Sequence, residues 1–134
     1  MPEARPATPA FERFARETLG CRCGAEVFAW VEDELSPLPA LPEIRRRIAV
    51  GGRLLVYLTQ PPDPVRAASG LGAWVAAGLA ERDGRRMNRL RLVVALDDPS
   101  PEAVALIESA FCGLPDLDDR VHLHVLATAA LAGV

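Results

Sequence analysis

Residues 90–96, Leu-Arg-Leu-Val-Val-Ala-Leu, constrain the fold more than any other part of this chain. Side chains alternate between the two faces of a strand, and Leu92, Val93 and Val94 make this one apolar on both. Such a strand has to be covered above and below, which is the position of a central parallel strand in an α/β sheet. The rest of the pattern can be read around it.

Ile44, Ile48 and Val50 alternate with Arg45 and Arg47, and Gly51-Gly52 then supplies the positive φ angles of a two-residue hairpin turn. Residues 53–59 follow as a richer strand, with Leu54, Val56 and Leu58 on one face and Leu55 and Tyr57 on the other. Pro61-Pro62-Asp63-Pro64 breaks the chain, and a helix runs on to about Arg82 along Ala68, Leu71, Val75 and Leu79. Glycines 70, 72 and 78 weaken that helix by about 1 kcal/mol each relative to alanine. Either it starts late, capped by Ser69, or it packs unusually close to a neighbour. After the turn Asp97-Asp98-Pro99-Ser100-Pro101, a further helix carries Val104, Ile107, Ala110, Phe111 and Leu114, and residues 120–126 form the last strand.

The N-terminal quarter reads as helical. Thr8 is an N-cap followed by proline at the first helical position, and Phe11, Phe14, Ala15, Thr18 and Leu19 recur at helical spacing until Gly20 stops the run. A second helix is predicted from about Cys23 or Gly24 to Leu35, with Val27, Phe28, Trp30, Val31 and Leu35 buried and the run Glu32 to Glu34 solvated at its end. Residues 1–7 are expected to be loose, and residues 36–42, with prolines 37, 39 and 42, to form an extended connection. The prediction is a single three-layer α/β domain over residues 1–134. Its mixed four-stranded sheet consists of the hairpin and two right-handed β-α-β crossovers, whose helices lie on one face while two N-terminal helices cover the other.

Half of the 134 residues are apolar and a quarter charged, which excludes a disordered tail. No window approaches the ~20 uncharged apolar residues of a membrane span, and Glu3, Glu12, Glu17 and Glu26 among the early arginines are unlike a signal peptide, so no membrane association and a cytoplasmic location are expected. All fifteen basic residues are arginine, a bias that a GC-rich genome explains. The net charge of −3 argues against nucleic acid as a partner.

Two short motifs carry chemistry. In Cys21-Arg22-Cys23, at the predicted start of the second helix, the helix dipole would favour a thiolate able to act as a metal ligand, redox thiol or nucleophile. In His122-Leu123-His124 both imidazoles lie on one side of a strand and could chelate one ion. If the second helix packs on the histidine face, the four residues make a Cys2His2 set of the kind zinc, or iron, accepts. Each motif also has a plain reading: two small buried residues at a junction, and two solvated imidazoles. Three cysteines do not make a disulfide framework, so free thiols or metal ligands are expected; Cys112, on the apolar side of its helix, reads as core. Ser69-Gly70-Leu71-Gly72 could hold a phosphate on backbone amides but lacks a P-loop lysine.

Charge along the parallel strands is polarised. Arg53, Arg89, Arg91 and Arg120 mark strand starts, with Arg85 and Arg86 just before the central strand, giving a basic edge for an anionic partner. Thr59, Gln60, Asp97 and Asp98 mark the carboxyl ends, where open α/β sheets bind ligands. From Thr18 onward the chain also resembles a small prokaryotic family of uncharacterised proteins. The likeness rests on Thr18-Leu19-Gly20-Cys21-x-Cys23 with Glu26-Val27-Phe28, on Gly52-Arg53-Leu54-Leu55-x-Tyr57, on Asn88-Arg89-Leu90-Arg91-Leu92-Val93, and on His122-Leu123-His124. That resemblance covers most of the chain and implies no catalytic role; Gly24 stands where the family commonly has proline.

Two functions are therefore open. One is a binding or regulatory module that meets a protein or small molecule through its charged sheet edges. The other is a metal-binding or thiol-redox protein centred on Cys21 and Cys23, with His122 and His124 as co-ligands. The first is favoured, because the sequence assembles no set of nucleophile, base and orienting group.

Overall fold

The computed structural model describes residues 4–35, 38–115 and 117–134. One mixed sheet has five strands in the spatial order of the sequence. They are β1 (Val31–Leu35), β2 (Ile44–Val50), β3 (Leu54–Thr59), β4 (Arg89–Leu96) and β5 (Val121–Ala127). The first three are antiparallel neighbours, while β3, β4 and β5 run parallel. The crossovers α2 (Pro64–Gly84) and α3 (Pro101–Cys112) pack on one face of the sheet. The N-terminal segment covers the other.

Hydrophobic alternation explains both layers. Leu55, Tyr57, Leu90, Leu92, Val94 and Leu96 face the helices, against Leu71, Trp74, Val75 and Ile107. Leu54, Val56, Leu58 and Val93 face Phe11, Phe14, Leu19 and Phe28. The hairpin forms as expected, with Gly51 at φ 60° and Gly52 at φ 67°, but Val50 pairs with Leu54, so the loop has three residues. A bulge at Arg45 breaks the register between Ile44 and Arg46. It puts Ile44 on the helix side, whereas Ile48 and Val50 face the N-terminal layer.

The predicted second N-terminal helix is not formed, and the sheet gains a strand in its place. A helix α1 (Pro9–Arg13), capped by Thr8, runs into a π-helical turn at Phe14–Thr18. After Gly20, at φ 74°, only a short 3-10 turn at Ala25–Ala29 precedes β1. The helical spacing of Val27, Phe28, Trp30, Val31 and Leu35 is misleading because tertiary pairing overrides it. Every acidic residue of β1 meets an arginine: Asp33 with Arg46 at 2.5 Å, Glu34 with Arg47 at 2.9 Å, and Glu32 with Arg85. The acidic run is thus an ion-paired edge, and Trp30, assigned to the core, is 63% exposed.

Helix α2 starts at Pro64, where the Asp63 side chain accepts from Arg66 N at 2.7 Å. Ser69 is therefore no cap, and close packing is the reason for the glycines: a Cβ on Gly78 would stand 2.6 Å from Leu90 Cδ2. Ser69 to Gly72 lie inside the helix, where their amides are already engaged, so no phosphate cradle exists there. Cys112 is exposed, not core. In the segment expected to be loose, residues 1–3 lie outside the described residues, whereas the Arg5 backbone pairs with Val31 and Ala7 N donates to Phe28 O. Ser36 and Pro37 of the proline-rich connection also lie outside them; the described remainder turns at Leu38–Leu41. Among the described residues no helix is long and apolar enough to cross a membrane.

Candidate functional site

A pocket of about 490 Å³ opens at the amino ends of β3 and β4, between the sheet and the N-terminal layer. Three pieces of chain build it. Gly20 ends the π-helical turn and turns the chain so that residues 20–24 form one wall. That wall is fixed by Cys21 N donating to Ala15 O at 2.9 Å and by Arg16 Nη1 donating to Cys23 O at 2.9 Å. The Arg16 guanidinium also lies 4.8 Å from the centre of the Phe28 ring. The floor comes from the hairpin loop and β4. Arg53 O accepts from Asn88 N at 2.7 Å and from Arg89 N at 3.0 Å, which clamps the loop to the strand start.

β5 supplies the third piece. Parallel pairing puts Arg91 opposite His122 and Val93 opposite His124, so the arginines and histidines share the face turned to the N-terminal layer. Arg89 Nη1 is 3.0 Å from His122 Nε2, and Arg91 Nη1 is 3.1 Å from His124 Nε2. A guanidinium can only donate, so each Nε2 accepts and each imidazole carries its proton on Nδ1. Burial, then the charges of Arg91 and Arg89, lower the pKa of His122. Burial, then Arg91, lower that of His124 to about 4. Both rings are neutral near pH 7.

The charge balance of the pocket is uneven. Arg22, Arg53, Arg89 and Arg91 line it against one carboxylate, Glu26. Among the described residues none of these four arginines is ion-paired, although Arg16, Arg46, Arg47, Arg66, Arg82, Arg85 and Arg120 all are. Arg91 Nε is buried without an acceptor. Burial and the neighbouring Arg89 charge lower the Arg91 pKa from its ordinary value.

The cysteine pair and His122 line this one pocket, whereas His124 does not. Cys21 and Cys23, expected as free thiols or metal ligands, are instead joined to each other as a disulfide, because the turn at residues 20–24 brings their Cα atoms to 5.6 Å. Cys21 is 7% exposed and Cys23 half-buried. The helix dipole expected behind them is missing, since only the five-residue 3-10 turn follows. Among the described residues no cluster of three or more His, Cys, Asp or Glu is placed to hold a metal ion.

The other expected sites divide. Thr59 is fully buried and its Oγ1 donates to Val93 O at 2.8 Å, so it serves the sheet. Gln60, Asp97 and Asp98 line a separate pocket of about 400 Å³ at the carboxyl ends, where Asp97 accepts from Thr128 at 3.1 Å. The basic edge splits too. Arg53 and Arg89 enter the site, Arg85 is taken by Glu32 and Glu81, Arg120 sits 3.7 Å from Asp118, and Arg86 is exposed at φ 56°. Sequence reasoning missed Arg22 as a pocket residue and placed Arg91 only among the strand-start arginines of the basic edge. The signal was present in the alternation of Arg89 and Arg91 on one face of an otherwise apolar strand. Comparison of the chain with protein-family models, with curated proteins and with solved structures finds no match, so the functional reading rests on this geometry.

Proposed function

We propose that the chain is a binding module that takes a small oxyanionic ligand, bearing carboxylate or phosphate groups, at the basic end of its sheet. The observation that carries this reading is a pocket lined by four guanidiniums without ion-pair partners, one of which, Arg91, also has a buried Nε–H without an acceptor. Clustering like charges in a half-buried site is unfavourable, and an anion seated among them would relieve the repulsion. It would also accept charge-assisted hydrogen bonds from the guanidiniums that line the pocket, each worth about 1.5–3 kcal/mol. A volume of about 490 Å³ suits a small molecule, and a net charge of −3 works against a long polyanion. The histidines support this role as neutral props, each holding an arginine in place through Nε2. That engagement also argues against the metal reading, because the Nε2 lone pairs are already used.

Calorimetric titration with succinate and with inorganic phosphate tests the proposal and separates the two oxyanion classes. Saturable 1:1 binding of at least one is expected, weakened about tenfold or more by Arg89→Gln and by raised ionic strength. Heats that are absent for both anions, or unchanged in Arg89→Gln, would overturn it.

A further inference from the structure

The disulfide lies in the wall of the basic pocket. We propose that Cys21 and Cys23 form a redox-active pair that exchanges with a small carboxylate-bearing thiol drawn in by the arginines. This rests on the oxyanion reading of the same pocket and adds the substrate class.

Three observations carry it. A bridge that spans a single residue restricts the unfolded chain far less than one closing a long loop, so it is poorly suited to be a structural staple. The two sulfurs differ in access: Cys21 is buried at 7% exposure, whereas Cys23 is half-buried, and both line the pocket. An incoming thiolate thus meets Cys23 first. The sulfur left behind is also provided for, because Cys23 N donates to Cys21 Sγ at 3.4 Å and the pocket carries four guanidiniums. A thiolate formed on Cys21 is favoured by both.

The exchange balances with two equivalents of thiol. The first thiolate attacks Cys23 Sγ, an S–S bond forms to the incoming sulfur, and the Cys21–Cys23 bond breaks with its electron pair going to Cys21 Sγ. A second thiolate attacks the substrate sulfur of the mixed disulfide and releases Cys23 as thiolate. The substrate is oxidised to its symmetrical disulfide, the cysteine pair gains two electrons, and the two cysteine thiolates take protons from water. Arginines steer the thiol by its carboxylates and remain unchanged.

Mercaptosuccinate, 2-mercaptoethanol and cysteamine give an anionic, a neutral and a cationic thiol. Reduction of the pair is followed by alkylation and mass spectrometry at matched thiolate concentrations, because rates scale with thiolate and its nucleophilicity. Mercaptosuccinate is expected to react at least tenfold faster than cysteamine, with the trapped adduct on Cys23. That ratio should collapse in Arg22→Gln, whose exposed site tolerates substitution, and at high salt, while Arg45→Gln at the opposite end of the sheet leaves it unchanged. Equal rates for the two charged thiols, or adducts on Cys21, would overturn the proposal. Succinate binding by a Cys21→Ser, Cys23→Ser double variant separates the two readings. If succinate binds and thiol charge makes no difference, the exchange reading alone fails; if succinate does not bind but inorganic phosphate does, the carboxylate-bearing thiol is ruled out and the oxyanion reading stands; if neither anion binds, both readings fail.

Discussion

Arg91 stands opposite His122 across the β4–β5 pair, but its guanidinium reaches the next histidine along, His124, at 3.1 Å. Arg89 does the same one step earlier, reaching His122 at 3.0 Å. The result is a staggered ladder in which each neutral imidazole accepts from an arginine. Protonating either ring would turn an acceptor into a donor facing a cation, so the ladder is stable only while the histidines are uncharged.

Acid should therefore weaken the fold in a defined window. The folded pKa of His124, about 4, lies below its ordinary value of 6.5, so the unfolded chain takes the proton first. Stability is then full above pH 6.5 and falls as the pH drops towards 4, by about 3 kcal/mol from this residue. His122 acts in the same direction. Asp118, held at about 2 chiefly by its hydrogen bond from Arg82, adds a loss only below 3.8. Urea midpoints measured between pH 7.5 and 4.5 should fall steadily, and His124→Gln should flatten the slope.

Val93 is fully buried on the face of β4 that meets the N-terminal layer. Val93→Asp would bury an unpaired carboxylate and is expected to cost at least about 4 kcal/mol. Thermal unfolding followed by circular dichroism checks this. Unchanged stability would mean that the N-terminal segment does not cover the sheet.

Two glycines of α2 should respond with opposite signs. Gly78→Ala sets a methyl 2.6 Å from Leu90 Cδ2 in the core and should destabilise by about 1–3 kcal/mol. Gly72 is exposed, and a methyl there meets only Leu114 at 3.7 Å. Gly72→Ala should raise stability by about 0.5–1 kcal/mol through helix propensity. Denaturation midpoints of the two variants give the comparison.

Arg82 is 3% exposed and is held in two-pronged fashion by Asp118 at 3.1 and 2.7 Å. Asp118→Asn leaves the buried guanidinium with Asp83 as its remaining carboxylate and should cost about 2–4 kcal/mol. Asp83→Asn removes a partner whose side chain is 65% exposed and should cost under about 1 kcal/mol. A reversed order in thermal melts would show that Asp83, not Asp118, anchors Arg82.

The sequence determined those parts of the protein whose pattern is local. Alternation in residues 54–58 and 90–96, the paired glycines at 51 and 52, and the proline-led start of α3 each impose one geometry with little help from elsewhere. The three-layer arrangement followed from a central strand apolar on both faces. Tertiary structure decided what depends on a distant partner. Val31 to Leu35 has helical spacing but becomes a strand because Arg46, Arg47 and Arg85 are placed to receive its carboxylates. The bulge at Arg45 sent Ile44 to the opposite face from Ile48, which no alternation rule reveals. The site is the clearest case. Its histidines and cysteines were visible as motifs, but register across β4 and β5 turned Nε2 of each histidine towards an arginine, and folding of residues 20–24 over the strand starts gathered four guanidiniums around one pocket. Ion pairing elsewhere left those four without carboxylates, and pairing of that kind is a property of the whole fold, set by distances that separation along the chain does not encode.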